Sequence, residues 1–163
     1  MKKEDIETLK KHLTNYIQSL KGDFVNKNSG YENAICEIIE GFEKETDRYW
    51  DCIWEEKYMH IEFKKGTSIW LDLVRYSEVI LEKNPQAKTK TFTLFFIPNK
   101  EKTAIKEILG VKTDTIIDKL NINSEHATQL LNLNETVPRS FNAQASLTVN
   151  DIKLLADFVI EVK

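Results

Sequence analysis

Between Asp51 and Gly66 the hydrophobic period of the chain switches from helical to alternating. The run Met59-His-Ile-Glu-Phe-Lys64 puts Met59, Ile61 and Phe63 on one face of a strand and His60, Glu62 and Lys64 on the other. Asp51 lies about one hairpin upstream, so residues 51–66 read as two short strands joined by a tight, charged turn. A carboxylate beside an ammonium on a half-apolar strand, with another acid one strand earlier, is costly unless something occupies the space between them. A divalent cation and a scissile phosphate would do so. The stretch therefore predicts a metal-dependent nuclease.

The surroundings of this stretch set the expected fold. Ile6, Leu9, Leu13, Tyr16, Ile17 and Leu20 fall at helical spacing and predict a first helix over 4–21. Tyr31, Ala34, Ile35, Ile38, Ile39 and Phe42 predict a second helix from about 31 to 45. The hairpin pairs Tyr49–Trp54 with Tyr58–Lys64, and Lys65-Gly66 breaks it. Thr67 or Ser68 caps a predicted third helix reaching about Lys83, where Asn84-Pro85 stops it. Thr91–Pro98 reads as a buried strand, and 100–109 as a helix. Short helices are expected at 113–120 and 124–131, then a polar loop over 132–147. Thr148 with Asp151 three residues on reads as a capping box opening a final helix to about Val162. The order predicts an α/β fold: helices layered on a small mixed central sheet, with helical additions at both ends.

At 163 residues the chain fits one domain, 1–163, with room for a substantial core. The net charge of −3 is no signature of nucleic-acid binding, so such binding would need focused basic patches and metal. No apolar run approaches the roughly 20 residues that span a bilayer, and the first residues lack the apolar core of a secretory signal. Cys36 and Cys52 have neither C-x-x-C nor zinc spacing and are expected to be buried thiols in a reducing cytoplasm.

An acid-x-Lys pair occurs four times, so the pattern alone selects nothing. Glu55/Lys57 falls in the turn, Asp151/Lys153 in a helix cap and Glu161/Lys163 at the C-terminus. Only Glu62/Lys64 sits on a strand whose other face is apolar, with Asp51 upstream. Phosphodiester cleavage uses a metal held by hard carboxylate oxygens to polarise the phosphate and acidify a water. Asp51 and Glu62 could hold that ion, with the carbonyl of Phe63 as a further ligand, while Lys64 orients the water or stabilises the phosphorane. The bland reading is a strand-end acid and a surface ion pair on a wet sheet face. His60 shares the face of Glu62, but a lone strand histidine is more often structural.

The stretch resembles the PD-(D/E)XK nuclease superfamily, with Asp51 matching the first acid, Glu62 the second and Lys64 the lysine. The resemblance covers about residues 30–108, leaving 110–163 as a helical extension. It implies a restriction endonuclease-like three-layer core built on helix, strand, strand, helix, strand. Gly30-Tyr31-Glu32 is similar to an opening common in that superfamily and makes Glu32 a fourth catalytic candidate. Trp50 stands where many members carry proline. The resemblance implies Mg²⁺, with Mn²⁺ as a substitute, and cleavage leaving a 5′-phosphate and a 3′-hydroxyl.

Lys65 and Arg75 are candidate DNA contacts beside the catalytic face. Arg139, Asn142 and Gln144, in a polar loop, are side-chain types that read base edges. The expected activity is that of a type II restriction endonuclease: a cytoplasmic homodimer acting on double-stranded DNA, functionally paired with a DNA methyltransferase. A junction resolvase or repair nuclease on the same core is the nearest rival. A non-catalytic, nuclease-like binding module is the rival from another class.

Overall fold

Strand β5 (Thr91–Pro98) has no polar face, since every one of its residues is buried. A strand apolar on both sides needs cover on both sides, and the chain supplies it from two separate cores. The computed structural model describes residues 2–19, 35–37, 39, 41–45, 50–54, 59–81, 91–136 and 143–162. Within them β5 pairs in parallel with β3 (Met59–Lys65) and antiparallel with β6 (Ile105–Lys112). Strand β2 (Cys52–Trp54) adds to β3, β1 (Phe42–Lys44) to β2, and β8 (Phe158–Glu161) to β6, all antiparallel. The result is a six-stranded mixed sheet in the order β1-β2-β3-β5-β6-β8.

Parallel strands cannot be joined by a tight turn. From β3 to β5 the chain crosses through β4 (Ser68–Asp72) and helix α2 (Leu73–Ile80). Strand β4 leaves the main sheet and pairs with β7 (Gln144–Thr148) in a two-stranded ribbon. One face of the main sheet, with Ile61, Phe63, Phe92 and Phe96, packs against Leu9 and Leu13 of α1 (Lys3–Ser19) and against Ile35 and Ile39. The other face, with Phe95, Ile97, Leu109 and Val111, is covered by Tyr76 and Val79 of α2 and Ile116 of α3 (Thr113–Leu120). Ile152 of α5 (Val149–Leu155) and Ile69, Leu71 and Leu147 of the ribbon complete that cover. Helix α4 (Ser124–Thr136) packs against α2. Helices on both faces of a mixed sheet make this the α/β protein that the period changes predict. Among the described residues no helix is long and apolar enough to cross a membrane.

Several predicted elements change type. Residues 42–44 form β1 and not the end of a helix, because Gly41 turns the chain in the left-handed region (φ +85) and Phe42 then pairs with Trp54. Ser68–Asp72 is a strand, and the cap of α2 is Asp72, which accepts from the Val74 N–H at 2.9 Å. The helix expected over 100–109 is absent, and its second half belongs to β6 (Ile105–Lys112), buried on both faces and so without alternation to read. The expected loop over 132–147 contains the end of α4 and most of β7. The capping box at Thr148 and Asp151 is present, but its helix stops at Leu155 and the chain returns to the sheet edge as β8. The C-terminal third thus contributes strands as well as helices. Cys36 and Cys52 are joined in a disulfide, with Cα atoms 6.1 Å apart, and are not separate thiols. Both lie in the core beneath α1, where a helical turn and a strand meet face to face.

Candidate active site

The site begins where β2 and β3 part. Their ladder runs through Trp54↔Met59, Ile53↔His60 and Cys52↔Ile61, and the Asp51 N–H donates to the Ile61 carbonyl at 3.0 Å. Beyond that rung β3 continues without β2, paired only with β5 on its other edge. The next N–H on that edge, Phe63, donates to Asp51 Oδ2 at 2.7 Å. A side-chain carboxylate therefore takes the place that a strand carbonyl would hold. In a strand the N–H and C=O of one residue point to the same edge, so the Phe63 carbonyl is directed to the side where the Asp51 carboxylate lies.

Glu62 projects from the face toward α2 and is 5% exposed. Its Oε1 accepts from Lys64 Nζ at 2.9 Å and from Arg75 Nη1 at 2.6 Å. Burying a lone carboxylate would be expensive, and two cations on one oxygen offset that cost. Arg75 reaches Glu62 because Asp72 starts α2 just above the strand, which sets the first turn of the helix over β3. Beside it Tyr76 is buried, and burial together with the Glu62 charge pushes its phenol far above the usual range. The adjacent Thr93 hydroxyl and Arg75 act in the opposite sense without cancelling the effect. Thr93 stands in register with Glu62 across the parallel pair, and Lys64 with Phe95.

His60 lies on the same face as Glu62 but is engaged elsewhere. Its Nδ1 is 2.8 Å from both Glu45 oxygens, and its ring packs against Trp50 with centroids 6.1 Å apart. Glu45 as the partner of His60 could not be read from spacing, since the two meet only through the pairing of β1, β2 and β3. The Arg75–Glu62 contact was equally hidden, because the sequence predicts Arg75 in a helix with a different start. Trp50 is buried in the α2-side core with its Nε1 unpaired.

Asp51, Glu62, Lys64 and Phe63 are thus brought to one seam of the sheet, with Arg75 added from above. Lys65 follows on the opposite face of β3 from Glu62 and Lys64. Gln144 opens β7 in register with Asp72 and is exposed. Glu32, Arg139 and Asn142 lie outside the described residues. The donor set at the seam is two carboxylates and one carbonyl, all hard oxygens. That is a sparse set of the kind suited to Mg²⁺, which keeps several of its own waters. Among the described residues no three His, Cys, Asp or Glu side chains converge as a metal-binding group, and an ion at this seam would draw on the Phe63 carbonyl as well as the two acids. No protein-family model matches the chain, and no curated protein or solved structure matches it either.

Proposed function

We infer that the protein is a Mg²⁺-dependent endonuclease of the PD-(D/E)XK type, acting on double-stranded DNA through a restriction endonuclease-like core. The observation that carries this reading is the Asp51 carboxylate seated on the Phe63 N–H, next along β3 from Glu62. It sets the Asp51 carboxylate on β3 at the residue after Glu62, and Glu62 carries Lys64 and Arg75 on one oxygen. A mixed sheet covered by helices on both faces agrees with that core.

Asp51, Glu62 and the Phe63 carbonyl would hold the ion, which when bound polarises a phosphate oxygen and acidifies a water. Lys64, two residues from Glu62 on the same face, orients the attacking water and offsets charge developing on the phosphorane. Arg75 supplies a second cation to the phosphate once Glu62 takes another partner. Attack on phosphorus leaves a 5′-phosphate and a 3′-hydroxyl. The biological form proposed is a type II restriction enzyme, a homodimer with one site per chain and a methyltransferase as functional partner. A junction resolvase or repair nuclease would instead prefer flapped or four-way substrates over linear duplex. A non-catalytic module is favoured by one observation: Glu62 Oε1 already carries two cations.

Supercoiled plasmid incubated with the protein and Mg²⁺ tests the reading. Nicked and linear products are expected, with rates reduced at least about a hundredfold in Glu62→Gln and Lys64→Ala while circular dichroism stays unchanged. Cleavage that persists in both variants removes these residues from the mechanism. A wild type that binds DNA without cutting it supports the module.

A further inference from the structure

The backbone behind the Asp51 carboxylate is held covalently. Cys36 and Cys52 form a disulfide across 16 positions of sequence, and they are the only two cysteines of the chain. Cys36 belongs to a helical turn at 35–37, whereas Cys52 opens β2 as the residue after Asp51. Cys36 Sγ also lies 3.5 Å from the Asp51 carbonyl oxygen. That carbonyl accepts from the Glu45 N–H at 3.0 Å, and the Asp51 N–H donates to the Ile61 carbonyl at 3.0 Å. The Asp51 peptide is thus held from β3, from the end of β1 and from the turn, while its carboxylate rests on the Phe63 N–H.

We propose that the Cys36–Cys52 pair is a redox switch on the metal seam, holding the Asp51 carboxylate on Phe63 when oxidised and releasing it when reduced. The effect on a bound ion rests on the nuclease reading, whereas the effect on Asp51 does not. Its first support is that no staple is needed here. Single disulfides chiefly secure domains too small to bury a core. This chain of 163 residues buries an apolar cluster on each face of its sheet. The bond lies instead one residue from a candidate ligand.

The second support is packing. Bonded sulfurs sit well inside the separation that two thiols need, and a close-packed core has few voids to absorb the difference. Ile35 and Ile39 seat the turn in the α1-side core, so reduction displaces the start of β2, where Asp51 is attached. A site that must hold its ligand atoms to within about 0.5 Å registers such a shift. The reductant is a dithiol. One of its thiolates attacks a sulfur, breaks the Cys36–Cys52 bond and forms a mixed disulfide. The second thiolate then closes a cyclic disulfide, and Cys36 and Cys52 leave as two thiols with two electrons and two protons gained. Both sulfurs are buried, so exchange follows local opening and each state persists long enough to be assayed alone.

Two measurements on air-oxidised and on dithiothreitol-reduced protein test the switch. Amide hydrogen exchange at Phe63, read by NMR, reports the Asp51 contact without any ligand. Calorimetry with Ca²⁺, a hard ion that thiols do not hold, reports the seam. Reduction is expected to speed exchange at Phe63 at least about tenfold, while Leu94 in the buried centre of β5 stays protected. It should also weaken Ca²⁺ binding about tenfold, within the usual range of coupling between two sites. By linkage, Ca²⁺ then raises by the same factor the dithiol ratio that reduces the bond. Dithiothreitol should change nothing in the Cys36→Ala/Cys52→Ala double variant. Unchanged exchange at Phe63 with Ca²⁺ bound equally in both states overturns the switch and leaves the nuclease reading intact. Equal acceleration at Phe63 and Leu94 marks an ordinary staple and overturns it too, as do two free thiols in the air-oxidised protein. Faster Phe63 exchange with equal Ca²⁺ affinity overturns the link to the seam. Faster Phe63 exchange with no Ca²⁺ heat in either state upholds the hold on Asp51 and sinks the metal site. Neither change nor binding sinks both.

Discussion

At the scale of single residues, the decisive feature is that one oxygen of Glu62 serves two cations. Lys64 and Arg75 are each about a quarter exposed (side chains at 29% and 24%), while the Glu62 side chain is at 7%. Their exposure moderates what each contact contributes, yet the acid they share is buried. Arg75→Gln is predicted to destabilise the fold by about 2 kcal/mol, within the range for hydrogen bonds to charged groups. The same change in a Glu62→Gln background should cost much less, because the buried charge has gone. Urea unfolding of the four proteins in a double-mutant cycle measures this coupling. Equal costs in both backgrounds would show that Arg75 stabilises by packing and not through Glu62. Tyr76 adds to the same environment: its phenol stays neutral beside the acid and keeps that side of Glu62 closed to water.

At the scale of elements, the fold is decided by which stretches have a legible period. The hairpin at Asp51–Lys65 was readable because Met59, Ile61 and Phe63 alternate with polar residues. Thr91–Pro98 was readable because a continuous β-branched and aromatic run has few other uses. Ser68–Asp72 was misread for a physical reason. Thr67 and Ser68 are as good caps as Asp72, and Leu73, Tyr76 and Ile80 continue a helical spacing that swallows the preceding strand. β6 has no alternation because both of its faces are buried, and β8 followed a well-capped helix with only Ala156-Asp157 to mark the break. These strands are specified by partners distant in sequence, which no local pattern reports. The capping box is the opposite case, a local device read correctly from two residues.

In that box the Thr148 N–H and hydroxyl both donate to Asp151, and these bonds hold the Asp151 carboxyl below the usual range. A depressed carboxyl contributes stability that is present above its unfolded value, about 3.9, and is lost as pH falls through the lower folded value. Thr148→Ala should therefore lower stability near neutrality. It should also flatten the loss of stability in acid relative to wild type, as read by thermal melts from pH 7 to pH 2. Parallel acid slopes in the two proteins would show that the box does not depend on the carboxylate.

At the scale of the whole molecule, the sheet divides its work between two faces. The α1 side is a closed apolar core, tied by the Cys36–Cys52 disulfide next to Asp51. The α2 side carries polar chemistry at one end and apolar packing at the other. The catalytic candidates sit just before β2 begins, where the edge of β3 beyond Ile61 is open to the Asp51 side chain. Asp51, Glu62 and Lys64 could be named from the sequence, since strand alternation and hairpin length place them together. Arg75 could be named but not placed. Glu32, Arg139 and Asn142 remain candidates outside the described residues.

Calorimetric titration of the purified protein with Mn²⁺ addresses the seam itself, independently of any substrate. One ion per chain is expected, with binding lost in both Asp51→Asn and Glu62→Gln and kept in Lys64→Ala. Binding should tighten in Arg75→Gln, where Glu62 has one competitor fewer. Absence of binding heat in the wild type, or heat that persists unchanged in both acid variants, would contradict it.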